Sequence, residues 1–242
     1  MLNNWLEPSW PAPSGIRAVS TIRMGGVSQG SYAGFNLASH VGDDLQNVLQ
    51  NRHLLKSSLN LPNDPVWLTQ IHSDVVVQAE LIQNAPSADA SFTTCSEVVC
   101  TVMTADCLPV LFCSKDGQVV AAAHAGWRGL LAGILANTYQ AMQRDKVIAW
   151  LGPAIGPQRF EVGNEVFDAF VQKNPRFSSA FNRKDEQHYL ADLYELARIE
   201  LAGYGVTEVY GGDFCTYSDA ERFFSYRREV QTGRMATLIW RA

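Results

Sequence analysis

The sequence predicts an α+β fold, a mixed β-sheet core with helices covering the sheet faces, and three observations carry that expectation. Short apolar runs rich in β-branched residues recur along the chain, as at residues 98–104 and 147–151. Two further runs, residues 109–113 and 118–124, flank Ser114-Lys115-Asp116-Gly117, which is hairpin turn chemistry. Leu130, Ile134, Thr138 and Met142 recur every four residues, the spacing of a helix that packs one face inward. Strands joined both by hairpins and by helices make a mixed sheet rather than a doubly wound parallel one.

From the N-terminal side, residues 15–22 alternate as a strand does, and residues 24–42 form a loop region rich in Gly, Ser and Asn. Asp43 or Asp44 caps a helix whose apolar side is Leu45, Val48, Leu49 and Leu55. Strands are expected at residues 66–71 and 75–78, on either side of the polar break His72-Ser73-Asp74. Past the hairpin and its helix come the strand at 147–151, a tight turn at 152–157, and helices near 165–172 and 190–202. Strands at 207–210 and 235–240 follow. No internal repeat, low-complexity segment or Pro/Ser-rich linker divides the chain, so residues 1–242 are expected to form one domain.

Composition narrows the function. The chain has 242 residues, 47% of them apolar, which suffices for a sizeable core. Charged residues are 18% and the formal net charge is -5, so no broad basic face exists to neutralise a nucleic-acid backbone. The start MLNNWLEPSWPAPSG lacks the basic n-region and apolar run of a signal peptide, and no stretch has the length of a membrane span. A cytoplasmic protein, monomer or homodimer, acting on a small molecule is the expectation. Cys95, Cys100, Cys107, Cys113 and Cys215 are odd in number, without disulfide-framework or paired CxxC spacing, and read as reduced thiols.

The chemistry concentrates in TADCLPVLFCSKDGQVVAAAHAGWRG. A four-residue loop at 114–117 sets Cys113 opposite Gln118 and therefore Cys107 opposite His124, on one face and within reach of one metal ion. A two-residue Asp116-Gly117 turn makes the same pair a same-face diagonal. His72 is the third candidate, at the polar end of an apolar run in TQIHSD, although spacing alone does not place it beside the other two. His40 in a Gly-rich loop, His53 in a helix and His188 after a charged run all have solvent-facing explanations. A Cys/His/His set leaves a fourth tetrahedral position open, the pattern of a catalytic zinc site.

The segments TQIH, MTADCLPVLF, AAHAGWRGL, WLGPAIGP and GGDFCTY, with the earlier STIRMGGVS, resemble the YfiH or laccase-domain family, from about Arg17 to the C-terminus. That resemblance implies α/β/β/α layers and a metal site of His72, Cys107 and His124. Family members are described as copper-dependent phenol oxidases, as purine nucleoside phosphorylases with adenosine deaminase activity, and as editors of peptidoglycan precursors. A multicopper centre draws on many histidines in HxH pairs, whereas this chain has five histidines and no such pair.

The reading preferred is therefore a zinc-dependent purine nucleoside phosphorylase for adenosine, inosine and 5′-methylthioadenosine that also deaminates adenosine, with copper possible in the site. Its alternatives are a copper-dependent polyphenol oxidase, a cysteine hydrolase using Cys107 with His124, or a non-catalytic partner whose metal serves folding. Phosphate is expected at Arg23, beside Gly25-Gly26, and at Arg128, in the Gly126-Trp127-Arg128-Gly129 lead into a helix. The base is sought among Phe214, Tyr217, Phe223, Phe224 and Tyr226, with Arg227 and Arg228 as further anion contacts or solvated charges. Asp106 next to Cys107, and Asp74 next to His72, are the candidate proton-transfer or ligand-orienting carboxylates.

Overall fold

Within the hairpin strands expected at 109–113 and 118–124, every residue between Gln118 and His124 and every residue of the first strand is apolar, so those strands can be sandwiched between two apolar layers. The computed structural model, which describes residues 5–82 and 84–242, has that arrangement. In chain order come β1 (Trp5–Leu6), β2 (Ile16–Thr21), α1 (Leu45–Leu59), β3 (Val76–Gln78), β4 (Ala90–Thr93), β5 (Cys100–Thr104), β6 (Leu108–Ser114) and β7 (Val120–Ala125). Then follow α2 (Trp127–Ala132), α3 (Ile134–Met142), β8 (Val147–Leu151), β9 (Glu161–Gly163) and α4 (Asn164–Lys173). The chain closes with β10 (Phe181–Arg183), β11 (His188–Ala191), α5 (Leu193–Gly203), β12 (Val209–Gly211) and β13 (Met235–Arg241).

A six-stranded sheet, ordered β12-β8-β6-β7-β4-β3, stacks on a four-stranded sheet, β1-β2-β13-β5, and a small sheet β10-β11-β9 lies apart. The larger sheet is mixed: β12–β8 and β3–β4 are parallel, the other pairs antiparallel. Alternation along β6 explains the layering. Leu111 faces the four-stranded sheet with Val120, Trp150, Val102 and Ile239, whereas Val110 and Phe112 face α3 and α5 through Ile134, Leu135 and Leu196. On the outer face of the four-stranded sheet, Val19, Leu238 and Trp240 pack with Leu55 of α1. The order is helix, sheet, sheet, helix, and each buried Leu or Phe contributes about 1.5–3 kcal/mol.

Several elements differ from the sequence expectation, each for a local reason. Residues 66–71 form no strand: only Val66 and Thr69 make isolated bridges, and the Gln70 side chain replaces a ladder by accepting from Met103 N (2.7 Å) and donating to its carbonyl (2.8 Å). The helix from Asp44 turns Leu45 and Leu49 outward, about half exposed, and buries Val48, Asn51 and Leu55. Asn51 earns that position by bonding Val27 N and the carbonyls of Gly34 and Asn36. Leu130, Ile134, Thr138 and Met142 are all buried, but the helix breaks at Gly133, whose φ of +104° admits glycine readily and other residues poorly. Leu190 belongs to β11, because Asp192 starts α5 by accepting from Tyr194 N and Glu195 N. Strands β1, β4, β9, β10 and β11 were not anticipated, being two to four residues long.

Candidate metal centre

The observed register of the hairpin sets Cys113 opposite Val120 and Pro109 opposite His124. This is the shorter-turn alternative, so Cys107, just before β6, lies diagonal to His124 rather than across from it. Cys107 also ends the connection that carries the chain from β5 in one sheet to β6 in the other. His124 projects from β7 and is 3% exposed, while His72 is exposed on a turn before β3.

The two imidazoles meet edge to face with centroids 4.8 Å apart, and Cys107 Sγ lies 4.0 Å from His72 Nε2. One donor atom from each of the three residues falls within 4.8 Å of the others. Bond lengths of about 2.0–2.3 Å around a tetrahedral zinc need donors about 3.3–3.8 Å apart, so a small contraction closes the set on an ion. Gly126 keeps the space clear, since a Cβ there would stand 2.9 Å from Cys107 Sγ and 3.4 Å from His72 Cδ2. A thiolate and two imidazoles are the donor chemistry of zinc and copper. The residues therefore fit a single metal ion.

Asp89, fully buried and immediately before β4, organises this set. Its carboxylate accepts from Ile71 N (3.2 Å), His72 N (3.0 Å), Ser73 N (2.6 Å), Ser73 Oγ (2.7 Å) and His124 Nδ1 (2.8 Å). The turn it ties down holds His72 at φ +60°, left-handed backbone that a histidine adopts only when its surroundings enforce it. The bond to Nδ1 leaves His124 Nε2 for the metal side. Burial works against the Asp89 charge, but the hydrogen bonds from His124 and Ser73 prevail and bring it down to about 2. Burial likewise opposes charge on Cys107 and His124, yet each stabilises the other's ion: the thiol is shifted down and the imidazole up.

A cavity of about 480 Å³ opens on these ligands, within the range of small-molecule sites. Of the sequence candidates, His72, Cys107, His124, Asp106, Arg128 and Tyr226 line it, whereas Arg23 and Tyr217 do not. Arg23 is turned to the 220–224 segment, donating to Ala220 O (3.2 Å) and lying over the Phe224 ring. Tyr217 packs against the main core beneath Arg159. Phe223 and Phe224 are fully buried with Ile22 and Met235, Phe214 packs against them, and Arg228 is consumed by the carbonyls of Thr216, Tyr217 and Phe223.

Asp106 spends both carboxylate oxygens on structure, one on Thr216 Oγ1 and one on Arg227 N, each at 2.6 Å. It therefore anchors the 216–227 loop over the cavity. Asp74 is tied to Asn137 of α3. Among the lining or supporting residues that escaped the sequence reading are Asp89, Gln70, Phe160, Arg234 and His40, the last set aside there as solvent-facing. Among these only Gln70, next to the TQIH turn, carried a local signal.

The layered α+β fold and the three-donor cluster in one of its cavities define a protein with a candidate mononuclear metal site. Residues 17–242 match the family model described as multi-copper polyphenol oxidoreductase laccase, and the chain belongs to that family, which includes YfiH. It is 50% identical over 242 residues to proteins named purine nucleoside phosphorylase from Pseudomonas aeruginosa and, as YfiH, from Escherichia coli, covering 99% of each chain. A crystal structure of a Neisseria meningitidis protein superposes with a TM-score of 0.96 at 50% identity over 99% of both chains. YlmD from Geobacillus stearothermophilus superposes at 0.91 with 30% identity, over 100% of this chain and 97% of that one. Among the described residues no helix is long and apolar enough to cross a membrane.

Proposed function

We propose that the protein is a metal-dependent purine nucleoside phosphorylase with zinc as its preferred ion. It attacks adenosine, inosine or 5′-methylthioadenosine with phosphate, and it deaminates adenosine. The observation that carries this reading is one cavity combining the His72, Cys107 and His124 donors with arginines and with the aromatic rings of Trp127, Phe160 and Tyr226. Relatives named purine nucleoside phosphorylase at 50% identity over nearly the whole chain support it.

When bound, zinc supplies Lewis acidity beside the nucleoside. The remaining roles belong to the chain. Asp89 fixes the proton on His124 Nδ1 and so presents Nε2 as the donor atom. Trp127, Phe160 and Tyr226 offer flat apolar faces to a purine. Asp106, through Thr216 and the Arg227 amide, holds the loop that brings Tyr226 to the cavity. A donor set of three residues favours one ion over the mononuclear and trinuclear centres of a multicopper oxidase.

The juxtaposition of Cys107 and His124, each of which favours the other's charged form, also supports a second reading, a cysteine nucleophile with a histidine base. Metal content of tag-free protein separates the two, since one equivalent of zinc is expected for the first and none for the second. The activity test is a nucleoside panel incubated with and without phosphate and read by product chromatography. Free base should appear together with sugar 1-phosphate only when phosphate is present, and inosine should form from adenosine in either case. Absence of base release from every nucleoside with phosphate present rejects the phosphorylase assignment.

A further inference from the structure

Three arginines and one acid line the cavity. Arg128, Arg227 and Arg234 face it together with His40, and the lining carboxylate, Asp106, already has both oxygens engaged by Thr216 and Arg227 N. Arg128 is exposed and stacks on Trp127, and Arg227 is exposed and donates to Glu161 O. Arg234 is different. It stands immediately before Met235, which pairs with Thr104 of β5, close enough for Cys107 and Asp106 to act on its charge.

Its Nη1 donates to Thr232 O (2.9 Å) and Gly233 O (3.0 Å), which pins one corner of the guanidinium. The guanidinium also lies over the Tyr226 ring, 5.8 Å from its centroid, and among the described residues its Nε and Nη2 groups have no protein hydrogen-bond partner. These atoms are not sealed off either, for Arg234 contributes to the cavity wall and has no buried unsatisfied nitrogen. His40 is adjacent: desolvation, then the charges of Arg234 and Arg52, hold its imidazole below the ordinary value. A half-buried guanidinium pinned at one corner by carbonyls, facing a cavity that Arg128 and Arg227 also line, is an arrangement completed by an anion.

We propose that Arg234, with His40 beside it, is the oxyanion subsite of the cavity and takes the inorganic phosphate that attacks the nucleoside. The identification of the anion as a co-substrate rests on the phosphorylase reading; the subsite itself rests on the geometry above. A guanidinium with one edge free presents two parallel N–H groups, which match two oxygens of a phosphate. His40 adds a further donor when protonated or in the appropriate tautomer. This assignment moves the phosphate from Arg23, which lies outside the cavity, to an arginine on the first residue ahead of the last strand.

The test uses full-length, metal-loaded protein and inorganic phosphate. Phosphate binding is measured by calorimetry without nucleoside, and the phosphate KM is measured separately with inosine, for wild type, Arg234→Gln, Arg234→Lys and His40→Gln. Arg234→Gln should weaken phosphate binding and raise its KM about tenfold to a hundredfold, with the inosine KM and metal content near wild type. Arg234→Lys, which keeps the charge but not the paired N–H groups, should fall between, and His40→Gln should weaken binding about threefold or more.

If Arg234→Gln does not fold, the lysine and His40 variants decide, and unchanged phosphate affinity in both overturns the proposal. No phosphate binding by wild type, or unchanged binding in folded Arg234→Gln, overturns it as well. Phosphate-dependent base release with an unaltered phosphate KM in Arg234→Gln removes the subsite and leaves the phosphorylase reading standing. Phosphate binding that depends on Arg234 without base release from any nucleoside does the reverse.

Discussion

Replacing Asp89 with Asn should damage the metal centre from behind, without touching any ligand. The carboxylate divides its work: Oδ1 accepts from His72 N and His124 Nδ1, and Oδ2 accepts from Ile71 N, Ser73 N and Ser73 Oγ. An amide keeps one acceptor oxygen and puts an NH2 in place of the other, so the better of its two orientations still loses the two bonds at Oδ1. Charge-assisted bonds contribute about 1.5–3 kcal/mol each, and partial relaxation leaves an expected stability loss of about 3 kcal/mol. Release of the His72 turn from φ +60°, and of the His124 ring, should lower zinc affinity about tenfold to a hundredfold. Chelator competition measures the affinity, and urea unfolding of metal-free Asp89→Asn measures the stability. A variant as stable as wild type to about 0.5 kcal/mol, and binding zinc within about threefold of it, would refute the role assigned to Asp89.

Gly126→Ala isolates sterics, because φ -67° and ψ 164° at this position suit alanine while the new methyl carbon would stand 2.9 Å from Cys107 Sγ. Circular dichroism should be unchanged and zinc content reduced; full zinc occupancy in the variant would show that the Cys107 side chain can yield. Glu200, on α5, is pushed up to about 7 by burial, against the pull of Lys173 Nζ at 3.8 Å, and among the described residues its Oε2 has no partner. Its folded-state affinity for the proton exceeds that of an unfolded glutamate, so its stabilising share is complete below about pH 4.5 and is lost as pH rises through 7, at most about 3 kcal/mol. Glu200→Gln should flatten that slope in denaturation series between pH 5 and 8, and an identical slope in both proteins would sink the assignment.

How far the sequence disclosed these parts depended on the range over which each is determined. Strand β8 and helix α4 were legible because apolar periodicity and flanking turns are local, and the β6–β7 hairpin was legible because its turn residues are contiguous. The same hairpin admitted two registers, since Ser114 to Gly117 fits turns of different length, and only tertiary packing selected the one in which Cys107 is diagonal to His124. Helix α1 kept its cap and the burial of Val48 and Leu55, but Asn51 takes the place expected for Leu45 and Leu49 by satisfying buried backbone groups of a distant loop. Arg23 looked like an anion ligand because it adjoins two glycines, yet those glycines serve a tight loop in which Gly34 N–H and C=O pair with Ser28. Asp89 gave no signal at all in SADASF, for nothing in a run of small residues announces bonds to positions 17 and 35 residues away.

The position of the metal ligands relative to the cores bears on what the metal is for. Cys107 comes from the crossing between the two sheets, His124 from a central strand and His72 from a turn pinned by Asp89, so each donor is placed by interactions that precede any ion. None of the three belongs to the apolar clusters that join the layers. A metal whose ligands are already gathered contributes less to folding than one that must collect them from a disordered chain, as a structural zinc does. Cys107 and His124 also favour one another's charged form, the thiol shifted down and the imidazole up, so the buried donors do not depend on an ion for mutual compensation. Preorganisation of this kind fits an ion that His72, Cys107 and His124 would hold for chemistry in a cavity that Arg234, Arg128 and aromatic rings also line.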